Sequence, residues 1–220
     1  MKPILLINLK TYKGGTGENA LKLARIASKF SRRGTDVILA TQPMDIARVS
    51  KAIKTFSQHI DPIEFGAHTG HILPESVRKA GAKGTIINHS ERRIPIRDIE
   101  KCIARAREAG LTTVCCASGI EIVRKIALFK PDFIAIEPPE LIGTKISVSQ
   151  AKPEIIRKSV EIVRKASRKT RVLCGAGIHS REDVSKAMEL GASGVILASA
   201  VVKSRKPEKV IRELIEGFSK

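Results

Sequence analysis

Eight times along the chain a short β-branched run is followed by a longer stretch whose apolar residues recur every three to four positions, and this alternation constrains the fold more than any other feature. The short runs cover 4–8, 36–40, 57–60, 85–88, 112–116, 133–136, 171–173 and 194–197. Amphipathic stretches lie between them at 20–32, 45–54, 74–80, 96–109, 119–129, 153–167 and 181–190, with the last at 207–216. Three of these are predicted to end on glycine, in Lys79-Ala80-Gly81, Glu108-Ala109-Gly110 and Glu189-Leu190-Gly191, because a left-handed cap suits a residue without Cβ. Each cap leads directly into the next strand, so the expectation is parallel strands joined by crossover helices.

No linker-like segment interrupts the pattern, which predicts one α/β domain over 1–220. A closed (β/α)8 barrel removes every strand edge and covers the sheet with helices; a doubly wound open sheet is the runner-up. At 220 residues the barrel is shorter than the typical ~250, so some helices must be short or missing.

The chain is 42% hydrophobic and 28% charged, which excludes a disordered polymer, and no apolar run approaches the ~20 residues of a membrane span. The first residues read as a strand and not as a secretory signal. Cys102, Cys115, Cys116 and Cys174 have neither metal-ligand spacing nor the density of a disulfide scaffold, so buried thiols in a reducing, cytoplasmic compartment are expected. A net charge of +18 attracts anions of any kind, from nucleic acid to a phosphorylated metabolite. The basic residues are scattered and aromatics make up only 3%, which favours solvated helix faces over a stacking nucleic-acid surface; no specific nucleic acid and no membrane partner are expected.

In such a barrel the residues just past the strand ends converge on one rim. They include Asn8 and Lys10 after the first run, His89 after the fourth, Glu137 after the sixth, Gly175-Ala176-Gly177 after the seventh and Ala198-Ser199 after the eighth. A carboxylate, an imidazole, an ammonium and a glycine-rich anion cradle suit proton transfer beside the carbonyl of a phosphorylated substrate. Glu137 ends an apolar run and precedes Pro138-Pro139, so its carboxylate is expected to be poorly solvated, as a base needs. His89 is expected to enter a helical turn whose dipole favours neutral imidazole. The segment 138–144 is stiff at its proline end and glycine-hinged at the other, as a lid would be. Loops after the seventh and eighth strands commonly bind phosphate through N–H groups, here at Gly177, Ala198 and Ser199.

Three patterns are decoys. Gly15-Thr16-Gly17-Glu18-Asn19-Ala20 spells a dinucleotide fingerprint but stands too far from its strand, and the acidic residue Asp36 begins a strand instead of ending one. Asn88-His89-Ser90 is a sequon without a secretory context. His68 and His71 lack a nearby third ligand for a metal.

Taken together, Asn8-Leu9-Lys10, Asn88-His89-Ser90-Glu91-Arg92 and Ile136-Glu137-Pro138-Pro139-Glu140-Leu141-Ile142-Gly143-Thr144 resemble the N-x-K, histidine and base-plus-lid segments of the triosephosphate isomerase family in its compact archaeal-type form. The resemblance implies a shortened TIM barrel, and in glycolysis and gluconeogenesis the interconversion of dihydroxyacetone phosphate and glyceraldehyde 3-phosphate. By this likeness Glu137 transfers the proton, His89 polarises the oxygens, Asn8 and Lys10 bind the developing oxyanion, and Glu91 supports Lys10. Phosphate is held by N–H groups near Gly143, Gly177, Ala198 and Ser199, with Ile142 at the substrate. No metal and no organic cofactor are implied.

The chain departs from longer family members. Their Tyr-Gly-Gly-Ser after the seventh strand is Cys174-Gly175-Ala176-Gly177 here, without the hydroxyls that latch the lid, and their paired glycines after the eighth are Ala198-Ser199. Gly66-Ala67-His68-Thr69-Gly70-His71 resembles the interdigitating third loop, which implies a dimer, and archaeal-type likeness favours a homotetramer. A Schiff-base, class I aldolase-like enzyme using Lys10 on a phosphorylated sugar is the alternative enzyme.

Overall fold

All the strands but the third offer side chains to two different apolar layers, and this alternation decides where polar groups past the strand ends must point. The computed structural model describes residues 2–31, 34–138, 141 and 147–219. Eight parallel strands follow one another in sequence order around a closed barrel: β1 (Ile4–Asn8), β2 (Asp36–Thr41), β3 (Thr55–Ser57), β4 (Gly84–Ile87), β5 (Thr112–Ala117), β6 (Phe133–Ile136), β7 (Arg171–Cys174) and β8 (Gly194–Leu197). The ring shuts where β1 pairs with β8, Ile4 opposite Gly194 and Ile7 opposite Leu197. Ile4, Leu6, Ile38, Phe56, Ile86, Cys116, Phe133 and Leu173 fill the barrel interior. Their neighbours Leu5, Ile7, Leu39, Cys115, Ile134 and Ile136 point outward and pack against the helices. Each fully buried Leu, Ile or Phe contributes roughly 1.5–3 kcal/mol relative to exposure, so both layers favour this register over a one-residue slip.

The outer layer consists of α1 (Glu18–Ser28), α2 (Ile46–Val49), α3 (Pro74–Lys79), α4 (Ile96–Glu108), α5 (Ile120–Leu128), α6 (Val148–Ala151), α7 (Pro153–Ala166), α8 (Arg181–Glu189), α9 (Ser199–Val202) and α10 (Pro207–Glu216). The predicted glycine caps are present, with φ of 109° at Gly81, 70° at Gly110 and 91° at Gly191. The expected shortening falls on α2, a single turn where 45–54 was predicted. There Asp45 closes a 3₁₀ turn, Pro43–Asp45, and its side chain leaves to accept the Gly17 N–H at 3.0 Å. That bond also disposes of the dinucleotide fingerprint, since an N–H at the start of α1 already has its anion.

Two strands are displaced from their predicted spans. β3 begins at Thr55 and ends at Ser57, whose hydroxyl donates to the His59 carbonyl at 2.7 Å and turns the chain out of the sheet. β4 stops at Ile87 because Asn88 has φ 59°, a left-handed conformation that cannot continue a strand. The short helices α6 and α9 are too brief to leave a periodic signature in sequence.

Candidate functional site

Parallel strands deliver their C-terminal ends to one mouth, and the inward series along each strand continues past it. Ile4 and Leu6 lead to Asn8, Phe133 and Ala135 to Glu137, Leu173 to Gly175, and Ile196 to Ala198. Asn8, Lys10, His89, Glu137, Gly177, Ala198 and Ser199 accordingly line one cavity. Of the sequence-predicted site residues, Ile142 and Gly143 lie outside the described residues, as does most of the segment 138–144.

Lys10 is the most constrained of the set. It is a non-glycine residue at φ 47°, a conformation costing about 1–2 kcal/mol, so the surroundings must hold it there. Its N–H donates to Asn8 Oδ1 at 3.0 Å, its carbonyl accepts from Gln58 Nε2 at 2.9 Å, and its Nζ donates to Glu91 Oε1 at 2.8 Å. Gln58 also donates to the Ala40 carbonyl at 3.1 Å, tying the ends of β1 and β2 together. Nothing in the sequence pattern marked Gln58; only the pairing of β1, β2 and β3 brings it to the lysine's main chain.

His89 is buried, and its two nitrogens meet different groups. The Glu91 N–H donates to Nδ1 at 3.2 Å, which requires a lone pair there and so places the proton of a neutral ring on Nε2. Nε2 faces Glu137 Oε1 at 3.7 Å. The predicted helical turn is absent: residues 89–92 form a hydrogen-bonded turn, Arg92 N–H to the His89 carbonyl at 2.8 Å, and α4 starts only at Ile96. The helix dipole expected at His89 is therefore not in place, and the fixed contact of the ring is the Glu91 N–H on Nδ1.

Glu137 follows β6, its N–H still in the ladder to the Ala117 carbonyl at 2.9 Å. The residue is 6% exposed, and its Oε2 has no hydrogen-bond partner among the described residues. A carboxylate oxygen left without a donor is the arrangement a proton-accepting group requires. Beneath it, burial pushes the Cys116 thiol well above its usual value, and the neighbouring Glu137 carboxylate adds to the shift, so the carboxylate has a neutral S–H beside it. Space for the carboxylate depends on Gly175, where a Cβ would stand 2.6 Å from Glu137 Cγ and 2.8 Å from Ile196 Cγ2. Sequence reasoning read Gly175 as part of a turn; its tighter duty is to leave room for the acid side chain.

A second cavity of about 460 Å³ adjoins the lysine, lined by Gln58, His59, Ile72, Glu91 and Arg92 among others. It borders the base of the loop 61–72, which Asp61 clamps: its N–H donates to the Ile72 carbonyl at 3.0 Å and its Oδ2 accepts the Ile72 N–H at 2.6 Å. His59 reaches Asp61 Oδ1 at 3.1 Å, and Arg92 lies 3.6 Å away. Burial holds the His59 imidazole below its usual value. Burial works to raise the Asp61 carboxyl, yet the Ile72 N–H, His59 and Arg92 outweigh it and hold the group below its ordinary range.

The triosephosphate isomerase family model matches residues 3–215. The triosephosphate isomerase of Methanothermus fervidus is 47% identical over 217 residues, covering 97% of this chain and 98% of that one. That of Methanoculleus marisnigri is 49% identical over 216 residues, covering 97% of each. The crystal structure of triosephosphate isomerase from Bartonella henselae superposes with a TM-score of 0.82 over 100% of both chains; at 19% identity this bears on the fold alone. A match that runs the length of the chain, to relatives of the same size and nearly half the same residues, makes this chain a member of the triosephosphate isomerase family.

Proposed function

We propose that Glu137, His89 and Lys10 carry the interconversion of dihydroxyacetone phosphate and glyceraldehyde 3-phosphate that membership of the family implies. The observation that carries the reading is the facing pair, Glu137 Oε1 and His89 Nε2 at 3.7 Å, in the cavity that Lys10 closes from a third side. Glu137 takes a proton from one substrate carbon and returns it to the next. His89, with Nδ1 occupied by a main-chain N–H, presents Nε2–H to the carbonyl oxygen and moves a proton between the two oxygens. The Lys10 ammonium and the Asn8 amide stabilise the negative charge that develops there, and Glu91 holds the ammonium in place. The main-chain N–H groups of Gly177, Ala198 and Ser199 bind the phosphate, to which the +18 charge steers the substrate. Ile142 and Gly143 complete this binding from the lid.

A Schiff-base role for Lys10 is not favoured: its ammonium is in an ion pair with Glu91 at 2.8 Å, whereas imine formation needs a free amine. The whole chain acts as one barrel domain, in the cytoplasm. It assembles as a homo-oligomer, a dimer through the exposed loop 61–72 of one copy and the cavity beside Lys10 of the other, and a tetramer by pairing of dimers. Phe65, 70% exposed on that loop, and Met44, 91% exposed near the cavity, support such a contact.

The test is a coupled assay on the purified chain with glyceraldehyde 3-phosphate. Wild-type protein is expected to turn it over, and Glu137→Asp to lower kcat by about 10²–10³ with KM within a few-fold, because the carboxylate retreats about one methylene from its proton. Unchanged kcat in the variant removes Glu137 from the role of base.

A further inference from the structure

We infer that His179 is a positioning residue of the phosphate subsite: by holding the Gly177 carbonyl it fixes the peptide plane whose N–H belongs to Ile178, next to the Gly177 N–H and in the lining of the same cavity. The inference rests on the phosphate reading given above. Two successive residues of the loop, Ala176 at φ 66° and Gly177 at φ 67°, are left-handed. For the alanine this conformation is strained, so the loop needs external restraint to keep its peptide planes from turning over.

Among the described residues each plane has one restraint. The Ala176 carbonyl accepts the Val148 N–H at 3.2 Å, and the Gly177 carbonyl is bonded to His179 Nδ1 at 2.8 Å. A carbonyl can only accept, so Nδ1 carries the proton. In a trans peptide the C=O and the following N–H point in opposite directions. Pinning the two carbonyls therefore aims the N–H groups of Gly177 and Ile178 away from Val148 and from the imidazole respectively.

The imidazole is itself anchored. Its main-chain N–H donates to Asp183 Oδ2 at 2.9 Å; the same oxygen takes the Ser180 N–H at 3.0 Å, and Oδ1 takes Gln150 Nε2 at 2.6 Å. Asp183 is 5% exposed, so the loop is referred to a buried carboxylate at the head of α8. His179 lines the cavity that also holds Lys10, Gly177, Ala198 and Ser199. Among the described residues, the bond to Gly177 is the one polar contact its ring makes.

His179→Leu removes the donor, whereas His179→Asn keeps an N–H in nearly the same place. Three readouts separate positioning from general damage: kcat/KM on glyceraldehyde 3-phosphate, kcat/KM on unphosphorylated glyceraldehyde, and the dissociation constant of inorganic phosphate by calorimetry. The leucine variant is expected to lose about tenfold on the phosphorylated substrate and about tenfold in phosphate affinity, with the unphosphorylated substrate unchanged; the asparagine variant stays within about threefold of wild type throughout. Equal losses on both substrates, wild-type behaviour of the leucine variant, or failure of asparagine to restore affinity each overturn the inference. If wild-type protein turns over no triose phosphate, the isomerase reading fails by itself, and phosphate affinity still decides the role of His179.

Discussion

The two sides of the barrel mouth are built from different materials. On the side of β1 and β4 the site consists of side chains, Asn8, Lys10, His89 and Glu91, each held by a named partner. On the side of β7 and β8 it consists of main chain, at Gly177, Ala198 and Ser199, where the side chain matters mostly by being small. The first side offers charge and proton donors at fixed atoms, which suits bond-making chemistry; the second offers several weak N–H dipoles, which suits a spread-out anion. Glu137 stands between them, its carboxylate facing His89 on the side-chain half and its clearance set by Gly175 from the other.

That division can be broken most severely at its seam. Gly175→Ala introduces a Cβ 2.6 Å from Glu137 Cγ, and in the isomerase assay kcat is expected to fall about 10²-fold although no reacting group has been altered. Next in size, Gln58→Leu deprives the Lys10 carbonyl of its donor at 2.9 Å and leaves a left-handed lysine less restrained. About tenfold in kcat/KM should be lost while the thermal transition moves little. A smaller effect concerns the support behind the side-chain half. His59 and Asp61 both titrate lower in the folded protein than in the unfolded chain, so both favour folding at high pH and oppose it as pH falls. Tm followed from pH 7 to 4 should drop, beginning near the ordinary histidine value of 6.5, and more shallowly in His59→Gln. Least affected is Ser199→Ala, which keeps the N–H and should leave KM within about twofold; a larger rise would mean that the hydroxyl, and not the main chain, binds on that side.

How much of this could be read from the amino acids alone follows the same division. That Asn8, Lys10, His89 and Glu137 share one cavity was legible because residue type marks them as candidates and strand-end position carries their placement. The barrel itself was legible because period two and period 3.6 alternate so regularly. Gln58, Gly175 and His179 were not, since each acts by touching a residue 20 or more positions away or by orienting a peptide plane, and neither leaves a local pattern. The helical turn expected at His89 is a single hydrogen-bonded turn, because residues 89–92 cannot be told from the start of a helix until the hydrogen bonds are seen. Likewise, the strand expected over Ser57-Gln58-His59-Ile60 overlaps the sheet only at Ser57, the last residue of β3, after which the chain has left it.

Cys115 and Cys116 are adjacent in β5 yet belong to opposite layers, the first outward under the helices and the second inside the barrel. Both are buried, and burial suppresses the thiolate that reagents attack. The pair thus forms a built-in dual probe of breathing. Alkylation of the first clocks detachment of the helical jacket, alkylation of the second clocks rupture of the stave wall, and the ratio of their rates tells whether the jacket loosens before the wall gives way.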